Sequence, residues 1–84
     1  MEVVKQDHLW FVIENEDGGK ENVVFVTEHE EDTELFIDGD GGYGRSYDEG
    51  PYRTYYLFCH LQWFKDWDWK KQATYICECC PPDI

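Results

Sequence analysis

Basic residues are scarce in this sequence. Seven Lys and Arg stand against 19 Asp and Glu, which gives a formal net charge of −12. Proteins that bind nucleic acid directly rely on cations that displace counterions from the phosphates. The charge therefore argues against direct binding to nucleic acid.

Long apolar runs and export signals are also missing. The longest apolar run, LWFVI, has five residues, far below the roughly 20 of a membrane span. The N-terminal MEVVKQDHLWFVI lacks the basic region, apolar core and small-residue cleavage site of a signal peptide. We expect no membrane association and a cytoplasmic location, with the four cysteines reduced.

Catalytic motifs are absent as well. The sequence contains no G-x-x-x-x-G-K, no G-x-S-x-G and no H-E-x-x-H. A catalytic pair of Cys59 with His8, His29 or His60 has no local signature. We expect neither enzymatic activity nor a cofactor.

Aromatic residues, in contrast, are abundant. Four Trp, six Tyr and five Phe make up 18% of the 84 residues, and each can bury roughly 150–250 Å². A core can therefore be built from few residues. We expect one domain over residues 1–84, with residues 81–84 as a short tail after Cys80.

Alternating apolar residues dominate the first half. This alternation predicts two strands, over residues 8–14 and 21–30, with a turn at Asp-Gly-Gly between them. We therefore expect a β-hairpin over residues 8–28. Residues 33–38 predict a third strand, with Leu35 and Ile37 on one face.

The second half is ambiguous between strand and helix. For residues 52–64, Pro51 and the flanking charges suit a helix, but Tyr, Thr, Phe and Trp favour a strand, which we prefer. Residues 73–79 then form a last strand, and a hairpin between the two sets Cys59 opposite Cys77.

The fold class predicted from these patterns is mainly β. It is an antiparallel sheet of about five strands, either open or barrel-like. The alternative is an α+β fold, in which a four-stranded sheet carries one helix over residues 52–66.

Negative charge is concentrated in one part of the chain. Residues 14–49 have a charge balance of −11, and the rest of the chain has −1. On a strand, same-face carboxylates recur every 6.6–6.8 Å or so, and DNA carries one charge per about 3.4 Å on each strand. The segment is therefore either a solvated loop region or an anionic surface that imitates a polyanion.

Two patterns raise the question of a metal site. Residues 38–49 place acids at positions 1, 3 and 12 of a calcium-type loop, but Tyr43 stands where that loop requires Gly. Cys77, Cys79 and Cys80 lack the C-x₂₋₄-C spacing of zinc sites. We expect reduced thiols and no resident metal, with zinc or a disulfide as alternatives.

Residues 63–71, WFKDWDWKK, alternate aromatic and acidic side chains. Trp is over-represented at binding hot spots, and Trp with Asp suits a surface rich in Arg. We expect Trp63 and Phe64 to close the core. Trp67 and Trp69 are candidates either for the core or for contact with a partner.

No motif identifies a family, but size and charge resemble two classes of small acidic inhibitor. One is phage-encoded DNA mimics, including anti-CRISPR and anti-restriction proteins. The other is bacterial immunity proteins that neutralise nuclease toxins. The first implies a non-enzymatic inhibitor that blocks the nucleic-acid groove of a basic host defence protein, and the second implies a basic nuclease toxin as partner. A small metal-stabilised binding domain is a third hypothesis.

The candidate partner-binding residues follow from the acidic segment and the aromatic loops. Carboxylates would replace phosphates, and Tyr and Trp would add contact area. The candidates are Glu28, Glu30, Glu31, Asp32, Asp38, Asp40, Tyr43, Tyr47, Asp48, Glu49, Trp67 and Trp69.

Overall fold

The computed structural model describes residues 1–15, 19–39 and 50–80. Within these ranges the fold is α+β, with a three-stranded sheet and four helices. The strands are β1 (Glu2–Gln6), β2 (Leu9–Asn15) and β3 (Glu21–Thr27). The helices are α1 (Glu30–Asp38), α2 (Pro51–Phe58), α3 (Gln62–Lys65) and α4 (Trp69–Cys79).

The sheet is open and antiparallel, in the order β1-β2-β3. Asp7 and His8 connect β1 to β2, and Asp7 has a φ of 54°, in the left-handed region that Asp tolerates better than most residues. The antiparallel pairing of β2 with β3 confirms the two strands of the hairpin predicted over residues 8–28. Residues 16–18 of its predicted turn lie outside the described residues.

Both faces of the sheet are covered. Leu9, Phe11 and Ile13 point to one face, which we call the core face, where they join buried residues of α2, α3 and α4. Tyr55, Phe64 and Ile76 are among those helical residues.

The opposite face, which we call the α1 face, carries Val12 and Phe25, both fully buried. The ring of Phe36 in α1 stacks on Phe25, with 4.6 Å between ring centroids. The helix α1 therefore covers the face opposite to α3 and α4. The helix α2 joins the core face through Tyr55 and also reaches Phe25 through Tyr52, with 5.3 Å between ring centroids.

The mainly β prediction is wrong. Residues 33–38 lie in α1, residues 52–64 fall within α2, α3 and the turn between them, and residues 73–79 lie in α4. The α+β alternative has the right class, but it had four strands and a single helix. Since Cys59 follows α2 and Cys77 lies in α4, they are not partners across a hairpin.

Packing explains this error. Gln72, Ala73, Ile76 and Cys77 of α4 are all buried, a spacing that fits one side of a helix of 3.6 residues per turn. The sheet offers each helix an apolar face, and burial there outweighs the preference of aromatic and β-branched residues for strands. The strand β1 was not predicted at all, because EVVKQ alternates too weakly.

No helix among the described residues is long and apolar enough to cross a membrane.

Candidate functional site

The acidic segment folds into α1 because both of its ends carry helix signals. Glu30, Glu31 and Asp32 occupy the first turn, where the positive end of the helix dipole favours negative charge. Gly39 ends the helix with a φ of 72°, and its N–H caps the carbonyl groups of Leu35 and Phe36. Gly adopts this left-handed conformation without steric cost.

One side of α1 is a row of carboxylates, which we call the acidic stripe: Glu30, Glu31, Glu34 and Asp38. All four side chains are exposed. Glu30, Glu34 and Asp38 are spaced four residues apart and so lie on one helical face, about 6 Å apart along the axis. Glu31 lies beside them.

The stripe resembles one strand of DNA in its charge density. Four charges over about 12 Å of helix average one per about 4 Å, and each strand of B-DNA carries one per about 3.4 Å. The helix therefore presents negative charge at nearly the linear density of a phosphate backbone.

The opposite side of α1 anchors the helix to the sheet. Thr33 is buried and donates a hydrogen bond to the Glu30 carbonyl oxygen, at 2.6 Å. Buried Thr27, at the end of β3, donates to Asp32 Oδ2 at 3.2 Å, and its hydroxyl accepts from the His29 N–H at 3.1 Å. Together with the Phe36 stack on Phe25, these contacts fix which side of α1 faces outward.

The charges of the stripe are not neutralised locally. Among the described residues, no cation pairs with Glu30, Glu31, Glu34 or Asp38, and the last turn of α1 contains no basic residue. Like charges at i, i+3 or i, i+4 cost roughly 0.2–0.5 kcal/mol per pair. The negative C-terminal end of the helix dipole also repels the carboxylate of Asp38. The helix thus carries a small electrostatic cost along its exposed side.

Two candidate carboxylates lie beside the stripe. Asp32 is half-buried and held by Thr27, so it faces the sheet. Glu28 is exposed, and its Oε1 lies 3.6 Å from the position that a Cβ would take at Gly50. Glu28 is therefore close to the start of α2, where the helix dipole also favours a carboxylate.

The remaining candidates of the acidic segment fall outside the described residues. They are Asp40, Tyr43, Tyr47, Asp48 and Glu49.

Trp67 and Trp69 lie with the helices on the core face, away from the stripe. Both are half-buried and pack against the core. Lys71 Nζ lies 4.4 Å from the centroid of the Trp67 ring, and Lys70 Nζ lies 5.9 Å from that of Trp69. The structure therefore places one lysine near each indole and does not bring the two indoles together with α1.

The two residues expected to close the core differ in burial. Phe64 is buried, but Trp63 is 44% exposed. Trp63 packs on Trp67 and Tyr75, with centroid distances of 5.1 and 5.9 Å and steep interplanar angles. These rings are in direct contact, which leaves no space between them for a ligand.

All four cysteines are free thiols. The Cys77 thiol donates to the Gln6 carbonyl oxygen, and the Cys80 thiol donates to Thr54 Oγ1. Burial raises the pKa of Cys77 to about 11, so its thiolate, the form that binds metals, is disfavoured. Among the described residues, no three His, Cys, Asp or Glu side chains converge so that they could hold one metal ion.

The strand interpretation missed Glu34. A strand over residues 33–38 would turn Glu34 and Phe36 to the same face, whereas in α1 Glu34 is exposed and Phe36 stacks on Phe25. The spacing of Glu30, Glu34 and Asp38 at i, i+4 and i+8 was the signal that could have found it.

Comparison with protein-family models, curated protein sequences and solved structures gave no match.

Proposed function

We propose that this protein is a non-enzymatic inhibitor that occupies the nucleic-acid groove of a basic protein. The acidic stripe of α1 would take the place of phosphates. The observation that carries this proposal is the row of four exposed carboxylates on a helix that buried contacts hold in one orientation.

The electrostatics of the stripe support this function better than a general role in solubility. A solubilising helix can mix both signs along its exposed face and gain from i, i+4 ion pairs. On α1 every charged residue of the exposed side is negative, which costs stability. In a basic groove, Lys and Arg that are spaced to bind phosphates would attract these carboxylates and offset the repulsion among them.

The distribution of the other charges defines the direction of docking. Lys65, Lys70 and Lys71 lie on α3 and α4, which cover the core face, whereas α1 covers the opposite face. Asp66, Asp68 and Glu78 balance these three lysines, so the α3–α4 side is close to neutral. A basic partner would therefore be attracted more strongly to the α1 side. Association should be fast at low salt and slow at high salt.

The target we propose is a host defence protein, such as a nuclease, in the cytoplasm. The protein would then be of the kind that phages encode against restriction or CRISPR systems. Four free thiols agree with a reducing compartment.

A capture experiment tests this function. The immobilised protein is exposed to a bacterial lysate at low and at high salt, and bound proteins are identified by mass spectrometry. We expect basic nucleic-acid-binding proteins at low salt, their loss at high salt, and their release by added duplex DNA. Recovery of none of them at low salt would overturn the proposal.

A matched pair of variants assigns the binding to the stripe. The first variant combines Glu30→Gln, Glu34→Gln and Asp38→Asn. The control combines Glu2→Gln, Glu21→Gln and Glu78→Gln, three exposed positions away from α1, and changes the net charge by the same amount. We expect capture to be lost in the first variant and retained in the control. Equal loss in both would show that total charge, and not the stripe, governs binding.

A further inference from the structure

Among the described residues, the two outer edges of the sheet differ: the β3 edge is closed by side chains, and the β1 edge is not. On β3, the Val23 N–H donates to Gln72 Oε1 at 3.1 Å, and the Val23 carbonyl oxygen accepts from the Tyr55 hydroxyl at 2.7 Å. Both bonds are buried. On β1, no described group bonds to the backbone of Val3 or Lys5 beyond the strand itself. The β1 edge is thus open within the described part of the chain.

The register shows which backbone groups of β1 point outward. The backbone N–H and C=O of Val23 point away from the sheet. The backbone groups of Ile13, which lies opposite Val23 on β2, therefore point toward β1, where Ile13 is paired with Glu2. In an antiparallel ladder, residues alternate between bonding to the neighbouring strand and pointing away from it. Val3 and Lys5 therefore direct their N–H and C=O groups to the open edge.

These outward groups are arranged so that a second β1 strand can satisfy them. Val3 and Lys5 flank Val4 symmetrically. If a second copy runs antiparallel with Val4 opposite Val4, then Val3 of each copy faces Lys5 of the other. Each such pair exchanges two backbone hydrogen bonds, so the contact uses all four outward donors and all four acceptors.

Lys5 does not guard this edge. A Lys on an edge strand often prevents pairing with another chain. Here Lys5 Nζ lies 5.3 Å from the centroid of the Trp10 ring, on the same sheet face. In the structure the cation lies over the sheet face and not along the edge, next to Val3, which is 37% exposed.

Charge also favours this edge for contact between identical chains. The charged residues of β1 and its turn are Glu2, Lys5 and Asp7, and they nearly balance. The acidic stripe lies on α1, which packs over β3 and β2. Two copies joined at β1 therefore keep their stripes apart, although a net charge of −12 on each still opposes association.

We propose that β1 is a self-association surface, at which two copies pair antiparallel about Val4 into a continuous six-stranded sheet. A contact of one short strand from each copy falls in the size range of weak, transient interfaces, below about 1,200 Å². The dimer should therefore form reversibly, with increasing protein concentration. Salt should strengthen it, because salt screens the repulsion between like-charged chains.

Sedimentation velocity over a wide range of protein concentration, at low and at high salt, tests this proposal. We expect the average mass to rise from monomer toward dimer, and to rise further at high salt. A monomer under all conditions would overturn it. Binding of a basic target by the stripe should respond to salt in the opposite direction, so the two proposals can fail separately.

The variant Val3→Pro removes an outward N–H and no bond of the sheet, and Pro is tolerated at such edge positions. Val3→Thr is its control, because it keeps the N–H and the β-branched shape. We expect Val3→Pro to stay monomeric and Val3→Thr to dimerise like the wild type. Dimerisation of folded Val3→Pro, checked by circular dichroism, would contradict the proposed surface.

Amide hydrogen exchange on the unmodified protein tests the pairing of two copies at β1 even if Val3→Pro fails to fold. We expect the Val3 and Lys5 amides to exchange quickly at low concentration and to become protected at high concentration. The amides of Val4 and Gln6 already bond to β2 and should change little. Protection of Val3 and Lys5 only after addition of another protein would assign the edge to a different partner and reject the second copy.

Discussion

The Tyr55 hydroxyl donates a buried hydrogen bond of 2.7 Å to the Val23 carbonyl oxygen. It thereby joins the middle of α2 to the outer strand of the sheet. Gln72 completes the arrangement, because its Oε1 accepts from the Val23 N–H and its Nε2 donates to the Phe64 carbonyl oxygen at 2.9 Å. Three helices are thus tied to one strand residue and to one another by polar groups inside the core.

The variant Tyr55→Phe should be clearly destabilised. It removes the donor but leaves the Val23 carbonyl buried, and an unsatisfied buried acceptor costs about 1–3 kcal/mol. The free energy of unfolding, measured by urea denaturation, should fall by that amount. The control is Tyr56→Phe, at a side chain that is 64% exposed, and it should change stability by less than about 0.5 kcal/mol. Equal effects would mean that the buried bond contributes nothing.

Charge reversal at the two ends of α1 should have opposite effects on stability. Asp38→Lys places a cation at the C-terminal end of the helix and removes repulsion from Glu34, so we expect a gain of roughly 0.5–1 kcal/mol. Glu30→Lys places a cation at the N-terminal end and should be destabilising. Thermal unfolding at low salt measures both. Changes of the same sign would contradict the electrostatic account of the stripe.

Asp68 should contribute to stability as the N-cap of α4. Its carboxylate accepts from the Lys71 N–H at 2.8 Å, which satisfies one of the free donors at the start of the helix. We expect Asp68→Ala to lower the free energy of unfolding by about 1 kcal/mol. Asp66→Ala, at an exposed carboxylate two residues earlier, is the comparison and should have a smaller effect.

Stability should fall in alkaline solution because of Cys77. Burial, with the nearby Asp7 as a smaller cause, raises the pKa of Cys77 from 9.0 to about 11. The folded state therefore favours the neutral thiol. This contribution is complete below pH 9, the unfolded value, and is lost as the pH rises through about 11.

Urea unfolding of the wild type and of Cys77→Val across this pH range provides the measurement. We expect a shallower decline in the variant. Burial also raises the pKa of Tyr75, but Tyr75 is present in both proteins, so the difference between the slopes belongs to Cys77. Identical slopes would show that this thiol does not couple to folding.

The candidate site could be predicted from the sequence only in part. Crowding of carboxylates near Glu30 and Asp38 is visible without a structure, but their alignment is not. The strand interpretation placed same-face charges two residues apart, whereas the helix places them four apart and adds Glu34. Asp32 was taken as a surface charge, yet Thr27 holds it toward the sheet.

The amino-acid sequence alone determined the acidic balance and the β2–β3 hairpin, because charge is additive and alternation over a short range is a local property. The tertiary structure decided whether residues 33–38, 52–64 and 73–79 became strands or helices. Local preferences there are weak, and the larger free energy comes from burying one side of each segment against a sheet that forms elsewhere in the chain. That burial also determined which carboxylates of α1 face outward. Within residues 1–15, 19–39 and 50–80 it covers the sheet faces and the β3 edge but not the β1 edge.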